Sequence, residues 1–309
     1  MKNKKETKTK NTSENKSNKL GEFYKKNYKK LMVIPAIMFF LSVLIIIHTI
    51  SVDGTPIYRD ISLKGGLSAI INTNTQITAE EYEDALHLKF QENSFIVSEL
   101  FEDGKKVGFI IDTDLDENLF LEFNKNYFKT DFVFGENYTS NFISPTLSLS
   151  FFKQAMYILL FSFVGMSIVV WLYFRELVPS GAIILSGIFD LVVTVGILDL
   201  FGVKISIAGI GALLMLIGYS IDTDILLTQR VVKEFGYDYF DKMFFAFKTG
   251  LLMTVTTFVA AISTMMITNS PIIFEIALIL AIGLIVDVIS TWIQNSGILL
   301  WWLEKKHRA

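Results

Sequence analysis

Residues 31–50 read LMVIPAIMFFLSVLIIIHTI. Nineteen of these twenty positions carry no ionisable side chain; His48 is the exception. An α-helix rises about 1.5 Å per residue, so roughly 20 apolar residues cross a hydrocarbon layer about 30 Å thick. The run therefore reads as a membrane span. Pro35 falls in its first turns, where a missing backbone N–H does least harm. Ahead of it, residues 1–30 are rich in Lys, Asn, Ser and Thr and read as a disordered basic tail. A cleaved signal peptide is not expected, because the tail is long and no small-residue cleavage site follows the apolar run.

Working outward from this run, the next apolar block begins only near Phe151. Further spans are then expected over 152–174, 179–200, 205–227, 251–267 and 272–303, with 304–309 as a short tail. Pro56, Pro145, Pro179 and Pro271 stand at block edges. The expected fold is an α-helical membrane protein: a six-helix bundle (31–50 and 151–303) with a small α+β extracytoplasmic domain, 51–150, between spans one and two. Lys and Arg mark the cytoplasmic side. They cluster before span one, between spans two and three, between four and five, and after six. An even span number then places both termini in the cytoplasm of a multi-pass plasma-membrane protein. The aromatic-rich segment 229–248 reads as an amphipathic helix at that interface.

The chain contains 309 residues with 51% hydrophobic types, no cysteine and three histidines. Disulfides and thiolate chemistry are thereby excluded. His48, His87 and His307 are too scattered for a metal site. The insert offers strands over 58–63, 67–72, 95–101 and 107–111, with a short strand near Phe132. Thr78 and Glu81 form a capping-box signature, and Asp116 can cap a second helix. No catalytic grouping stands out, so the insert reads as a binding or lever domain and the chain as no enzyme. No cofactor, metal or nucleic-acid partner is expected.

Function is sought among polar residues within the spans, which are costly in lipid. Span four ends LIGYSIDTDILLTQR, residues 216–230. At about 100° per residue Gly211, Gly218, Asp222 and Gln229 share a face, while Asp224 lies about 200° from Asp222. Span six carries Gly283, Asp287, Ser290, Thr291 and Gln294 on one face; span three carries Asp190 and Thr194. Span five offers Thr254, Thr257, Ser263 and Thr264. Asp222, Asp224, Asp287 and Asp190, with Arg230, are the candidates for a proton or ion relay. Structural hydrogen bonding is the competing account of each carboxylate, snorkelling that of Arg230, and bonding back to the same helix that of Ser and Thr.

These residues resemble a known family. Ile217-Gly218-Tyr219-Ser220, followed by a carboxylate and Arg230, is similar to the fourth-span motif of SecF. Asp60-Ile61-Ser62-Leu63-Lys64-Gly65-Gly66 resembles its Asp-x-x-x-x-Gly-Gly segment, and Phe189-Asp190 its third-span His-Asp pair. The resemblance covers about 28–303. Two departures stand out: Thr223 occupies the place of the aspartate essential in many bacterial members, and Phe189 that of the histidine. The Asp287, Gln294 and Asn295 seam is similar to archaeal members. The resemblance implies an accessory of the Sec protein translocase. It would pair with a SecD-like subunit, meet the Sec channel complex, the translocating polypeptide and membrane lipid, and draw on the proton gradient. A small-molecule or lipid exporter of the resistance-nodulation-division group and a non-transporting scaffold are the alternatives.

Overall fold

The computed structural model describes residues 24, 27–73, 75–91, 93–102, 105–233, 239–268 and 270–306. Most of the basic tail expected over 1–30 lies outside them. Among the described residues six helices are long and apolar enough to cross a membrane. They are Asn27–Asp53, Pro145–Phe174, Leu177–Leu200, Ile207–Lys233, Tyr239–Ile267 and Pro271–Lys306, called the first to sixth spans. Pro145 and Pro271 open their helices at the first turn, as the block edges imply. The sixth span is α-helical over Pro271–Ile289, widens to a π-helical turn over Ser290–Asn295, and resumes as Ser296–Lys306.

The third and fourth spans form the centre of the bundle, with about half of their apolar stretches buried; the first, second and fifth are mostly lipid-facing. Two close approaches fix this arrangement. A Cβ on Gly196 would lie 2.6 Å from Ser42 Cβ and 2.8 Å from its Cα, so the first span rests directly on the third. Phe39 and Phe189 stack beside that contact with ring centroids 6.3 Å apart. A Cβ on Gly250 would meet the Trp292 ring at 2.5 Å, which places the fifth span against the π turn. Small residues at such crossings let helices approach where no hydrophobic drive exists between them.

The insert is an antiparallel four-stranded sheet of order β2-β3-β1-β4, where β1 is Gly66–Asn72, β2 Phe95–Glu102, β3 Lys105–Thr113 and β4 Tyr138–Ile143. Helices Ala79–Lys89 and Glu117–Phe128 complete a β-α-β-β-α-β split motif. Leu67, Ala69, Ile71, Phe109 and Ile111 project to one face, as period two requires, and pack with Tyr82, Leu86, Phe120 and Phe123 of the helices. The capping box of Thr78 and Glu81 forms, and Asp116 caps the second helix through Asn118 N.

Three expectations are corrected. Residues 58–63 make no strand of the sheet: Arg59 bridges to Ile205 and Ile61–Lys64 turn into a short helix. The pull of the fourth span's entry segment overrides their β pattern. The last strand is Tyr138–Ile143 rather than near Phe132, because Tyr138 is the residue that registers with Ile71 over the core. Among the described residues no separate interfacial helix covers 229–248: the fourth span continues to Lys233 and the fifth starts at Tyr239. Val231, Ala246, Trp292 and Leu303 share a buried cluster, so the aromatic segment extends the bundle instead of lying beside it.

Two consequences are measurable. Gly196→Ala forces the first span off the third and lowers stability by about 1–3 kcal/mol. Gly181→Ala, with open space around its Cβ, is neutral or slightly stabilising in the same thermal-melting assay. Asp114 accepts from Asn93 Nδ2 at 3.0 Å, Ser94 N at 2.9 Å and Lys64 Nζ at 3.4 Å. Burial pushes its carboxyl up, but these donors together outweigh burial and hold it below the usual range. A lowered folded value means stability that is present above the ordinary carboxylate pKa and fades as pH falls through the folded one. Asp114→Asn costs about 1 kcal/mol at neutral pH and flattens that acid dependence, read as faster hydrogen exchange at the start of β2.

Candidate functional site

Spans three, four and six bring three carboxyl groups into the bundle interior: Asp190, Asp224 and Asp287, each at most 1% exposed. Asp224 Oδ1 accepts from Asn295 Nδ2 at 2.7 Å and from Ser186 Oγ at 3.2 Å. Asp190 Oδ2 accepts from Ser220 Oγ. Asp287 Oδ1 lies 3.1 Å from Thr223 Oγ1 and 3.2 Å from Thr291 Oγ1. Asp190 Oδ1 and Asp224 Oδ2 are buried without a hydrogen-bond partner. Among the described residues no Lys, Arg or His pairs with any of the three.

Thr223 is the hinge of this network. Its hydroxyl has one proton to give, yet Ser220 O lies at 2.8 Å, both Asp287 oxygens at 3.1 and 3.3 Å, and Thr291 Oγ1 at 3.4 Å. Rotation about the Cβ–Oγ1 bond changes which acceptor receives that proton. The π turn supplies the sixth-span partners. It carries Ser290, Thr291 and Asn295, all fully buried, in a single widened turn, a form often found at functional positions. Gly283 lets Leu216 come within 2.4 Å of where a Cβ would sit, closing the fourth span onto the sixth beside the network.

The other expected residues separate into two groups. Gly211, Gly218, Tyr219, Asp222 and Gln229 do share a face, and that face points away from the bundle. Asp222 is exposed and has no part in the carboxyl cluster, while Asp224, on the opposite side of the helix, sits within it. Arg230 is half-buried and forms no ion pair among the described residues. Gln294 lines a cavity of about 250 Å3 between the first span, the third span and the π turn. Thr254, Thr257, Ser263 and Thr264 bond back to carbonyls of their own helix, so the fifth span adds nothing to the seam. Ser186 and Thr223 were not singled out as site residues; their spacing to Asp190 and Asp224 on the same helices was the available signal.

Asp60, Gly65 and Gly66 form a junction between insert and bundle. Asp60 N donates to Ile205 O at 3.0 Å and Ile205 N to Tyr58 O at 2.8 Å. Ile207 N donates to Ser62 Oγ at 3.2 Å. Glu275 of the sixth span accepts from Ser206 N at 2.7 Å and Ser206 Oγ at 2.6 Å. Gly65, at φ 92°, has no room for a side chain: a Cβ would sit 2.6 Å from Pro145 Cα. Gly66 would clash with Thr113 O at 2.5 Å. The motif thus ties β1 to the start of the second span and to the entries of the fourth and sixth.

Comparison with known proteins agrees with this architecture. The family model described as "Protein export membrane protein SecD/SecF, C-terminal" matches residues 123–305. The "Protein-export membrane protein SecF" of Methanocaldococcus jannaschii is 36% identical, across 91% of this chain and 97% of that relative. Its namesake in Methanothermobacter thermautotrophicus is 32% identical, across 90% and 94%. The crystal structure of SecDF, a translocon-associated membrane protein from Thermus thermophilus, shares the fold with a TM-score of 0.64 at 18% identity. It covers 90% of this chain, which spans 38% of that longer one. On the strength of the family match and of relatives aligned over nearly their full length, the chain belongs to the SecF family of protein-export membrane proteins.

Proposed function

We propose that this chain acts as a half-transporter in protein export, pairing with a SecD-like bundle and coupling proton movement through Asp190, Asp224 and Asp287 to motion of the insert. The observation that carries this reading is the carboxyl cluster itself. Three buried carboxyl groups with no cationic side chain paired to them among the described residues cannot all be ionised, because burying unpaired charge is prohibitively costly. Such a site holds protons. Its hydroxyls and amide offer short hydrogen-bond steps between the three spans, and the Thr223 hydroxyl can switch among acceptors. A phosphate-binding Gly-x-x-x-x-Gly-Lys loop does not occur in the sequence, so a gradient is the energy source favoured here.

The outward face of the fourth span supports a partner. Gly211 and Gly218 have nothing within 4 Å of a Cβ position, and Asp222 is exposed at membrane depth. A carboxyl facing lipid is costly, whereas small residues and a polar group facing another helix are favourable. A single six-span bundle with such a face is half of a two-bundle assembly of the kind built from repeats. The partners would be a SecD-like subunit, the Sec channel and the emerging polypeptide. Both termini would lie in the cytoplasm, with the insert outside.

The test is gradient-dependent translocation of a secretory protein into vesicles carrying this chain, the SecD-like subunit and the Sec channel. Asp224→Asn and Asp287→Asn should each abolish the gradient-stimulated part while the complex still co-purifies. Asp222→Asn and Gly218→Leu should instead reduce co-purification of the SecD-like subunit. Full gradient stimulation in both Asp224→Asn and Asp287→Asn would refute the relay and favour a scaffold.

A further inference from the structure

Away from the carboxyl cluster, the first four spans line an open crevice of about 410 Å3. Every residue lining it is apolar, among them Ile46, Ile57, Leu159, Leu191, Val195 and Leu213. Its volume is within the range of about 300–1,000 Å3 typical of small-molecule sites. Its depth is defined by the span ends. Ile46 lies seven residues from Asp53, Val195 five from Leu200, and Leu213 six from Ile207. All three helix ends are on the insert side, so the crevice occupies that half of the bilayer.

A cationic group stands at its rim. Arg59 follows the lining residue Ile57 by two positions, and its guanidinium carbon lies 5.4 Å from the Phe152 ring centroid. Phe152 is one helical turn before the lining residue Met156. The Arg59 side chain is 12% exposed, and its Nε is buried without a hydrogen-bond partner. Arg59 is ion-paired with Asp53, whose Oδ2 lies 3.9 Å from Nε, too far for a hydrogen bond. A buried donor without an acceptor is unfavourable, and an acceptor placed beside it offsets that cost.

We infer that this crevice is a binding site for a membrane phospholipid, one hydrocarbon chain filling the cavity and the phosphate accepting from Arg59. The guanidinium fork matches phosphate oxygens, and the adjacent Lys153 is exposed on the same turn as Phe152. A free phosphate ion is a poor occupant, because Asp53, Asp60 and Asp199 make the surroundings acidic. A phosphate tethered to a chain already in the bilayer is held there by its tail. Moving a chain from lipid to crevice changes little hydrophobic energy, so selectivity rests on Arg59, while the tail supplies contacts that an empty cavity lacks.

The experiment is native mass spectrometry of the purified full-length chain with phosphatidylglycerol or with diacylglycerol of identical chains. The wild type should retain one phosphatidylglycerol with a preference of about fivefold or more over diacylglycerol. Arg59→Gln should bring that preference close to unity, and Arg59→Lys should restore part of it. Val195→Phe, which narrows the crevice, should reduce retention of both lipids, with thermal melting confirming that the variant is folded. Equal retention of the two lipids by the wild type would overturn the inference. So would an unchanged preference in Arg59→Gln, or wild-type retention by folded Val195→Phe.

Discussion

The hydrogen bonds that Thr223, Thr291 and Asn295 bring to Asp287 and Asp224 govern how the bundle is built. In a bilayer a polar side chain is costly unless the protein supplies it with partners. Three carboxyls inside a helix bundle therefore dictate the faces of every helix that touches them. Asp190 turns Ser220 inward, and Ser220 sets the rotation of the fourth span. That rotation carries Asp224 to Ser186 and Asn295 and leaves Asp222 on the outside. Asn295 and Thr291 reach their acceptors from a π turn, and Gly283 admits Leu216 beside them. Helix rotation, helix spacing and the irregular turn all follow from satisfying the same few acceptors.

The helices that hold the cluster also hold the insert. Ser206 immediately precedes the fourth span and is gripped by Glu275 near the start of the sixth. The neighbouring Ile205 pairs with Tyr58 and Asp60, and β1 begins six residues after Asp60. A relative shift of the fourth and sixth spans, whichever proton arrangement favours it, is transmitted to the insert through backbone hydrogen bonds and two crowded glycines. No flexible linker separates the cluster from the sheet. This geometry suits a device in which a proton event among the spans changes the posture of a domain outside them.

Much of this was legible in the sequence. Apolar length and proline placement gave six spans, and period-two alternation with a capping box gave most of the insert. The angular offset of Asp222 and Asp224 was also legible, since helix periodicity alone separates them by about 200°. Which of the two faces inward was not: small residues accompany Asp222, and a glycine stripe can pack against its own bundle or against another. Residues 58–63 misled because their alternation is real but is satisfied by Ile205, far away in the chain. The aromatic segment after Arg230 misled because an amphipathic face packs equally well on lipid or on Trp292 and Leu303. Thr223 stood out only as the place of a missing aspartate, because a threonine that bonds to its own helix looks the same in sequence as one that reaches a carboxylate.

The central claim is that protons pass through the cluster of Asp190, Asp224 and Asp287. Its most direct test is proton flux in sealed vesicles containing the chain with its SecD-like partner, followed with a trapped pH dye as a gradient is imposed. The account predicts flux that is lost in Thr223→Val, which removes the switching hydroxyl and keeps the helix shape, with assembly unchanged. Undiminished flux in a correctly assembled Thr223→Val, Asp224→Asn double variant would contradict it.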